Sequence, residues 1–330
     1  LKVSLEQLKR MLATYKLKVL RAQPIDDGYV VETNKGKRVV SVWQNAELLK
    51  WSNGWREQLF TQGYGAVERF LSNGNNKKYI RFQGKYFVLT EALDGRVPDP
   101  LEEQDCLKTG EIFADYHRAI DRIDHGASQA KSSAFDENFF SDGSTTIKQV
   151  MQRIEQKHEP SLVDEVIYSN LPLLYKRFRR ASQLWDGVKE AVAYFPLSLE
   201  KFKLDQIIHT ENGWQIRGGY NQGLAPIHED TVCLIRHLYQ RSDWNLSMVT
   251  SFLDGYERKR ELSDNELVYI LVQLALPSGV WEQFNHYLTT NELNEEQIHQ
   301  LAEAIRIQRY WDELALQVGR YIDQRRKATA

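Results

Sequence analysis

At 330 residues the chain has room for one large or two medium domains and can bury a sizeable core. Its 42% hydrophobic and 27% charged residues are those of an ordinary globular protein, and 43 basic against 45 acidic residues leave a formal net charge of −2. That balance excludes a global field for nucleic acid or an acidic membrane, and no run approaches the roughly 18 apolar residues of a membrane span. The N-terminus lacks the basic, apolar, small-residue pattern of a secretory signal, so export by that route is not expected. Cys106 and Cys233 each sit in an apolar helical pattern, which reads as free thiols in a reducing cell interior.

In chain order, Ser4 to Thr14 predicts a short helix, with Ser4 as cap and Leu5, Leu8, Met11 and Leu12 on one face. Three strand-like runs follow, Leu17 to Ala22, Gly28 to Thr33 and Arg38 to Trp43, joined as an antiparallel meander by Asp26-Asp27-Gly28 and Asn34-Lys35-Gly36-Lys37. A helix from Ala46 to about Gln62 comes next. Further strands are expected near Ala66 to Leu71, Lys78 to Phe82 and Tyr86 to Thr90.

After Asp94-Gly95-Arg96 the pattern turns helical, which sets the predicted boundary between residues 1–95 and 96–330. Helices are expected over Leu101 to Ile123, Thr146 to Lys157, Ser161 to Ser169, Pro172 to Tyr194, Asp230 to Gln240, Asn245 to Glu257, Asp264 to Leu276 and Asn294 to Gln324. The Ser-rich stretch from His125 to Thr145 reads as a loop or insert anchored by Phe135, Phe139 and Phe140. Within the helical half, Leu204 to Ile208 and Trp214 to Ile216 flank Glu211-Asn212-Gly213 and predict a β-hairpin. The fold class is therefore α+β: a small antiparallel β lobe with one main helix, then a large mainly helical lobe containing a hairpin.

Other chemistries leave no trace. The eight histidines are scattered, and no His-Glu-x-x-His or Cys-x-x-Cys spacing appears, so no metal site is expected. No Gly-x-Ser-x-Gly elbow is present. The basic run Lys176, Arg177, Arg179 and Arg180 reads as a solvated helix face, and Tyr310 and Trp311 as aromatics exposed for a protein interface.

The layout of small β lobe, a hinge reading Val88-Leu89-Thr90-Glu91-Ala92-Leu93-Asp94-Gly95-Arg96 and a large helical lobe resembles the choline kinase and aminoglycoside phosphotransferase architecture, a bilobal protein kinase-like fold. More narrowly, YFVLTEALDGR at 86–96, FADYHRA at 113–119, and FLDGYERKRELSDNEL with LALPSGVWEQFNHYL within 252–288 resemble the CotS and YutH group of Bacillus-type spore coat proteins.

The resemblance to active kinases implies a set of site positions, and this sequence departs from most of them. Where such enzymes carry a Lys on the third strand that pairs with nucleotide phosphates, Val40-Ser41-Val42-Trp43 places Trp43. Glu57 is the candidate for the helix carboxylate that would pair with that Lys, with Glu47 as the other choice, and Glu91 occupies the hinge of the nucleotide pocket. The turn Gln23 to Gly28 has one glycine and two carboxylates, which suits a plain hairpin better than a phosphate cradle. At the catalytic hairpin the positions of base Asp, metal Asn and metal Asp fall on Glu200, Asp205 and Arg217. Asp230 matches a helix start that supports the catalytic loop, and an N-cap explains it equally well.

The expected protein is thus a degenerate kinase-like spore coat component without cofactor, made in the mother cell cytoplasm, incorporated into the coat and working through contacts with other coat proteins. The alternative is a divergent ATP-dependent small-molecule phosphotransferase using Mg-ATP, or a nucleotide or metabolite sensor without turnover.

Overall fold

The structure, a computed structural model, describes residues 3–25, 28–123, 139–192, 195, 197–199, 202–217, 224–290 and 292–329. Among these the elements run α1 (Leu5–Ala13), β1 (Val19–Ile25), β2 (Gly28–Thr33), β3 (Gly36–Trp43), α2 (Ala46–Thr61), β4 (Tyr79–Phe82), β5 (Lys85–Glu91), α3 (Glu103–Ile120), α4 (Phe139–Glu155), α5 (Leu162–Asp186) and α6 (Lys189–Val192). They continue with β6 (Leu197–Leu199), β7 (Ile207–Thr210), β8 (Gly213–Ile216), β9 (Leu224–Pro226), α7 (Glu229–Arg241), α8 (Leu246–Glu257), α9 (Asp264–Ala275), α10 (Ser278–Thr290) and α11 (Glu295–Thr329). The expected α+β class, antiparallel sheet first and helices after, is what forms. The chain divides into two compact units, one of residues 1–131, 196–224 and 247–260, the other of 132–195, 225–246 and 261–330.

The first unit is built on an antiparallel sheet in the order β1-β2-β3-β5-β4. Side chains alternate across it, so each face recruits its own cover. Leu8, Met11 and Leu12 of α1, capped by Ser4 as its Ser-x-x-Gln spacing requires, pack with Val31, Val40, Phe87 and Leu89 on one face. Trp43 and Val88 pack with Leu49 of α2 and with Phe70 in a separate cluster. The strand expected at 66–71 does not form. Its backbone groups are divided, Ala66 and Glu68 bonding to Ile216 and the Leu71 amide to the Leu89 carbonyl, so no continuous ladder can run along it. In the helical part of this unit, Phe113, Tyr116 and His117 of α3 pack with Phe202, Phe252 and Tyr256, and His117 Nδ1 lies 2.7 Å from the Tyr256 hydroxyl.

The second unit is helical. Its pairs are α4 with α5, α5 with α9, α9 with α11, α10 with α11 and α7 with α9. Three sequence expectations change here, and α10 forms where no helix was expected. The helix expected from Thr146 begins at Phe139, because Phe139 and Phe140 both pack on Phe178 and draw the preceding turns into α4. Ser161–Ser169 and Pro172–Tyr194 are not two helices: α5 runs through Pro172. The proline lies on the exposed face, while Ile167, Leu171, Leu174 and Phe178 keep the buried stripe unbroken. The Pro-x-x-x-Trp segment at 277–281 opens α10. Tyr310 and Trp311 are half-buried, since Trp244 stacks on Tyr310 at 4.3 Å and meets Trp311 edge-on. The Asp26-Asp27 turn residues and Phe135, with 124–134 and 136–138 of the Ser-rich stretch, lie outside the described residues.

A buried polar node holds α5 to α10. Lys157 Nζ donates to Asp164 at 2.6 Å and to the Tyr287 hydroxyl at 3.0 Å, and Tyr287 also donates to Asp164. Nearby in sequence order, His228 begins α7 with a left-handed φ of +83° and reaches Glu266 at 3.0 Å. Asp230 is therefore inside α7 and not its N-cap; its carboxylate accepts from the Thr231 amide at 2.7 Å.

Candidate functional site

The hairpin β7–β8 lies in the first unit and is tied there on both sides. The bonds between Arg96 and His209, amide to carbonyl in both directions, fasten β7 to the end of the hinge at 2.8 and 3.0 Å. Ile216 bonds to Ala66 and Glu68 at 2.6 and 3.1 Å, which fastens β8 to the segment after α2. Gly95 makes the first attachment possible, because a Cβ there would lie 2.1 Å from the His209 carbonyl oxygen.

At the base of the hairpin a single 3-10 turn, Leu204–Gln206, leads into β7. Arg217 leaves β8 beside it. Its amide bonds to the Gln206 carbonyl at 2.7 Å and its guanidinium donates to the Asp205 carbonyl at 3.1 Å. Both residues are half-buried, and the Asp205 carboxylate has no hydrogen-bond partner among the described residues. Arg217 thus serves as a main-chain clamp across the hairpin base. Glu200, and Gly218 with Gly219, lie outside the described residues.

Trp43 ends β3 opposite Tyr86 of β5 and is fully buried. It meets Phe70 edge-on at 6.0 Å between ring centres and packs with Leu49 and Val88. Glu57 is on α2, but it does not reach toward β3. It accepts from Arg69 Nε at 3.2 Å, from a second Arg69 nitrogen, and from Lys78 Nζ at 3.3 Å. Burial works against its charge, yet Arg69 and Lys78 outweigh burial and hold the carboxyl below its ordinary range. Sequence reasoning missed the neighbour Arg56, fully buried, which donates to the Glu68 carbonyl at 2.7 Å and lies over the Trp55 and Phe70 rings. The signal was there: Arg56 continues the buried helical spacing of Leu49, Ser52 and Leu59.

A cavity of about 900 Å³ opens where the hinge meets the hairpin tip, lined by residues 91–96, 209–212 and 215. Glu91 lies in it and pairs with Arg38 at 3.6 Å; Trp43, Glu57, Asp205 and Arg217 do not line it. Its carboxylates are Glu91, Asp94 and Glu211. Its one arginine, Arg96, is committed to a two-point pair with Asp105, at 2.8 Å through one of the contacts, and holds that carboxyl below its usual range. Among the described residues no group of His, Cys, Asp and Glu is arranged to hold a metal ion, and no helix is long and apolar enough to cross a membrane.

No family profile and no curated protein sequence matches the chain. Solved structures do. An aminoglycoside phosphotransferase from Alicyclobacillus acidocaldarius superposes with a TM-score of 0.79 at 14% identity, covering 98% of each chain. The fold is that of the kinase-like phosphotransferases. A spectinomycin phosphotransferase bound to AMP matches with a TM-score of 0.66 at 12% identity over 96% of this chain and 99% of its own. An amicoumacin kinase solved with AMP-PNP and Ca²⁺ gives 0.56 at 13% over 89% and 88%. What is shared at these identities is the path of the chain.

Where the resemblance to active kinases implies a phosphate-binding Lys the chain has the buried indole of Trp43, and Glu57, the candidate helix carboxylate, is paired with Arg69 and Lys78. Among the described residues, a magnesium ion at the hairpin base would meet one carboxylate, that of Asp205, and the charge of Arg217. That donor set does not fit a hard divalent cation, which needs several oxygen ligands.

Proposed function

We propose that this protein has the phosphotransferase fold without the phosphotransfer, and that it works by contact with other proteins, as a coat component of the spore made in the mother cell. The observation that carries the reading is Arg217. Its guanidinium and its amide are both bound to the loop before β7, so its positive charge is fixed at the place where the resemblance to active kinases puts a metal-binding Asp. The buried Trp43, at the strand position where the same resemblance implies a phosphate-binding Lys, supports it. The spore coat assignment rests on the sequence resemblance at 86–96, 113–119 and 252–288.

A second reading, a divergent small-molecule phosphotransferase or nucleotide sensor, is favoured by the hinge cavity with Glu91, Asp94 and Glu211 and by the phosphotransferases among the similar structures. Melting curves with and without Mg-ATP separate the two. A nucleotide at 100 times its dissociation constant stabilises by about 2.7 kcal/mol. The proposal expects no shift and no ATP consumption. A clear upward shift supports the sensor, and a shift with turnover supports the enzyme.

A further inference from the structure

The solvent face of α5 has a pattern that no contact among the described residues explains. Its exposed line runs Leu162, Glu165, Ser169, Pro172, Lys176, Arg179 and Gln183, steps of three and four residues, flanked by exposed Val166, Leu173 and Arg180. Leu162 is 80% exposed, Leu173 47% and Val166 46%. The charges are sorted along the line, with Glu165 in the first half and Lys176, Arg179 and Arg180 in the second. None of these four has a side-chain partner among the described residues. Arg177, one step off the line, is by contrast bound to Asp312 at 2.9 Å.

We propose that this face pairs with the same face of a second copy, the two α5 helices antiparallel about a twofold axis between Ser169 and Pro172. A twofold contact sets residue i against j and j against i. With the axis there, Glu165 of each copy falls opposite Lys176 of the other, so two equivalent ion pairs form at once. Arg179 falls opposite Leu162, whose exposed side chain its aliphatic stem can cover. Ser169 and Pro172 are small, which allows close approach at the centre, and Val166 and Leu173 flank that centre as the apolar contact. A parallel pairing would place Lys176 against Lys176 and is disfavoured by charge. The same sorted charges make an acidic membrane a poor occupant, because Glu165 interrupts the apolar half.

Sedimentation of the full chain across a concentration series tests this. The expected result is a mass rising from 38.6 kDa toward twice that value. Lys176→Glu and Glu165→Lys, each alone, face two like-charge pairs and weaken self-association at least tenfold. Mixed together, they restore both pairs, and the mixture dimerises where neither variant does. Circular dichroism of each variant checks that the helices persist, as expected for substitutions at exposed positions. A chain that stays monomeric at every concentration, or one whose dimer is indifferent to both charge changes, overturns the proposal, and binding to another acidic partner in place of itself does the same.

Discussion

The guanidinium of Arg217 hydrogen-bonds to the backbone carbonyl of Asp205 at 3.1 Å, closing the base of the β7–β8 hairpin. A charge-assisted bond to a half-buried carbonyl contributes on the order of 1.5–3 kcal/mol. Arg217→Asp removes that bond and sets a second carboxylate beside Asp205. The expected outcome is a loss of about 1–3 kcal/mol in denaturant unfolding with no gain of ATP hydrolysis, because the strand Lys is still missing. Appearance of Mg-dependent turnover in this single variant would show that the remaining groups already form a working site.

Trp43 gives a sharper test of whether the nucleotide position is filled by structure. Its ring is fully buried against Leu49, Phe70 and Val88. Trp43→Phe keeps an aromatic contact with Phe70, and the expected cost is about 1–2 kcal/mol, whereas Trp43→Ala costs about 3–5 kcal/mol. Trp43→Lys, which restores the kinase residue type, is expected to be the worst of the three, since Glu57 is engaged by Arg69 and Lys78 and cannot neutralise a new buried charge. Measured midpoints in the order Phe, Ala, Lys support this; a Lys variant as stable as the Phe variant contradicts it.

Much of the fold was legible because turn chemistry is local. Asn34 to Lys37 and Glu211-Asn212-Gly213 mark hairpins that form where they were expected. The failures are tertiary. Residues 66–71 have strand-like composition, but their hydrogen bonds go to two different strands. Pro172 reads as a break until the burial of Leu171 and Leu174 on either side outweighs one missing amide. At the candidate site, Trp43 and Arg217 differ in residue type from the Lys and Asp that the resemblance to active kinases implies, a difference that needs no packing to read. That Glu57 had turned to Arg69 and Lys78, and that Arg56 had gone inside, depended on packing that sequence spacing does not fix.

The crossing of α3 and α8 depends on two glycines facing each other's backbone. A Cβ on Gly110 would lie 2.0 Å from the Phe252 carbonyl oxygen, and one on Gly255 would lie 1.9 Å from that of Leu107. Neither obstacle is a side chain that could rotate away, so the helices must separate, loosening Phe113 and His117 from Phe252 and Tyr256. Gly110→Ala and Gly255→Ala are each expected to lower stability by about 1–3 kcal/mol despite the better helix propensity of alanine. The double variant should cost less than the sum, because one separation relieves both clashes. Stabilisation by either single change would mean the crossing is looser than described.

The acid limit of the second unit is expected to depend on Asp164. Burial opposes its charge, but hydrogen bonds from Lys157, Tyr287 and Ser161 more than compensate and hold its carboxyl well below the ordinary range. A folded value below the unfolded one, about 3.9, means that the stabilisation is complete above about pH 5. It shrinks as the pH falls past the unfolded value toward the folded one, at about 1.4 kcal/mol per pH unit. Asp164→Asn leaves the half-exposed Lys157 without its charged partner and is expected to cost about 1–3 kcal/mol at neutral pH. Since the variant has no carboxyl to protonate, its deficit relative to the unaltered chain should narrow by about 1 kcal/mol between pH 6 and pH 3, read from urea midpoints. A deficit that is constant over that range would place the acid sensitivity elsewhere and reduce the node at Lys157, Asp164 and Tyr287 to a packing contact.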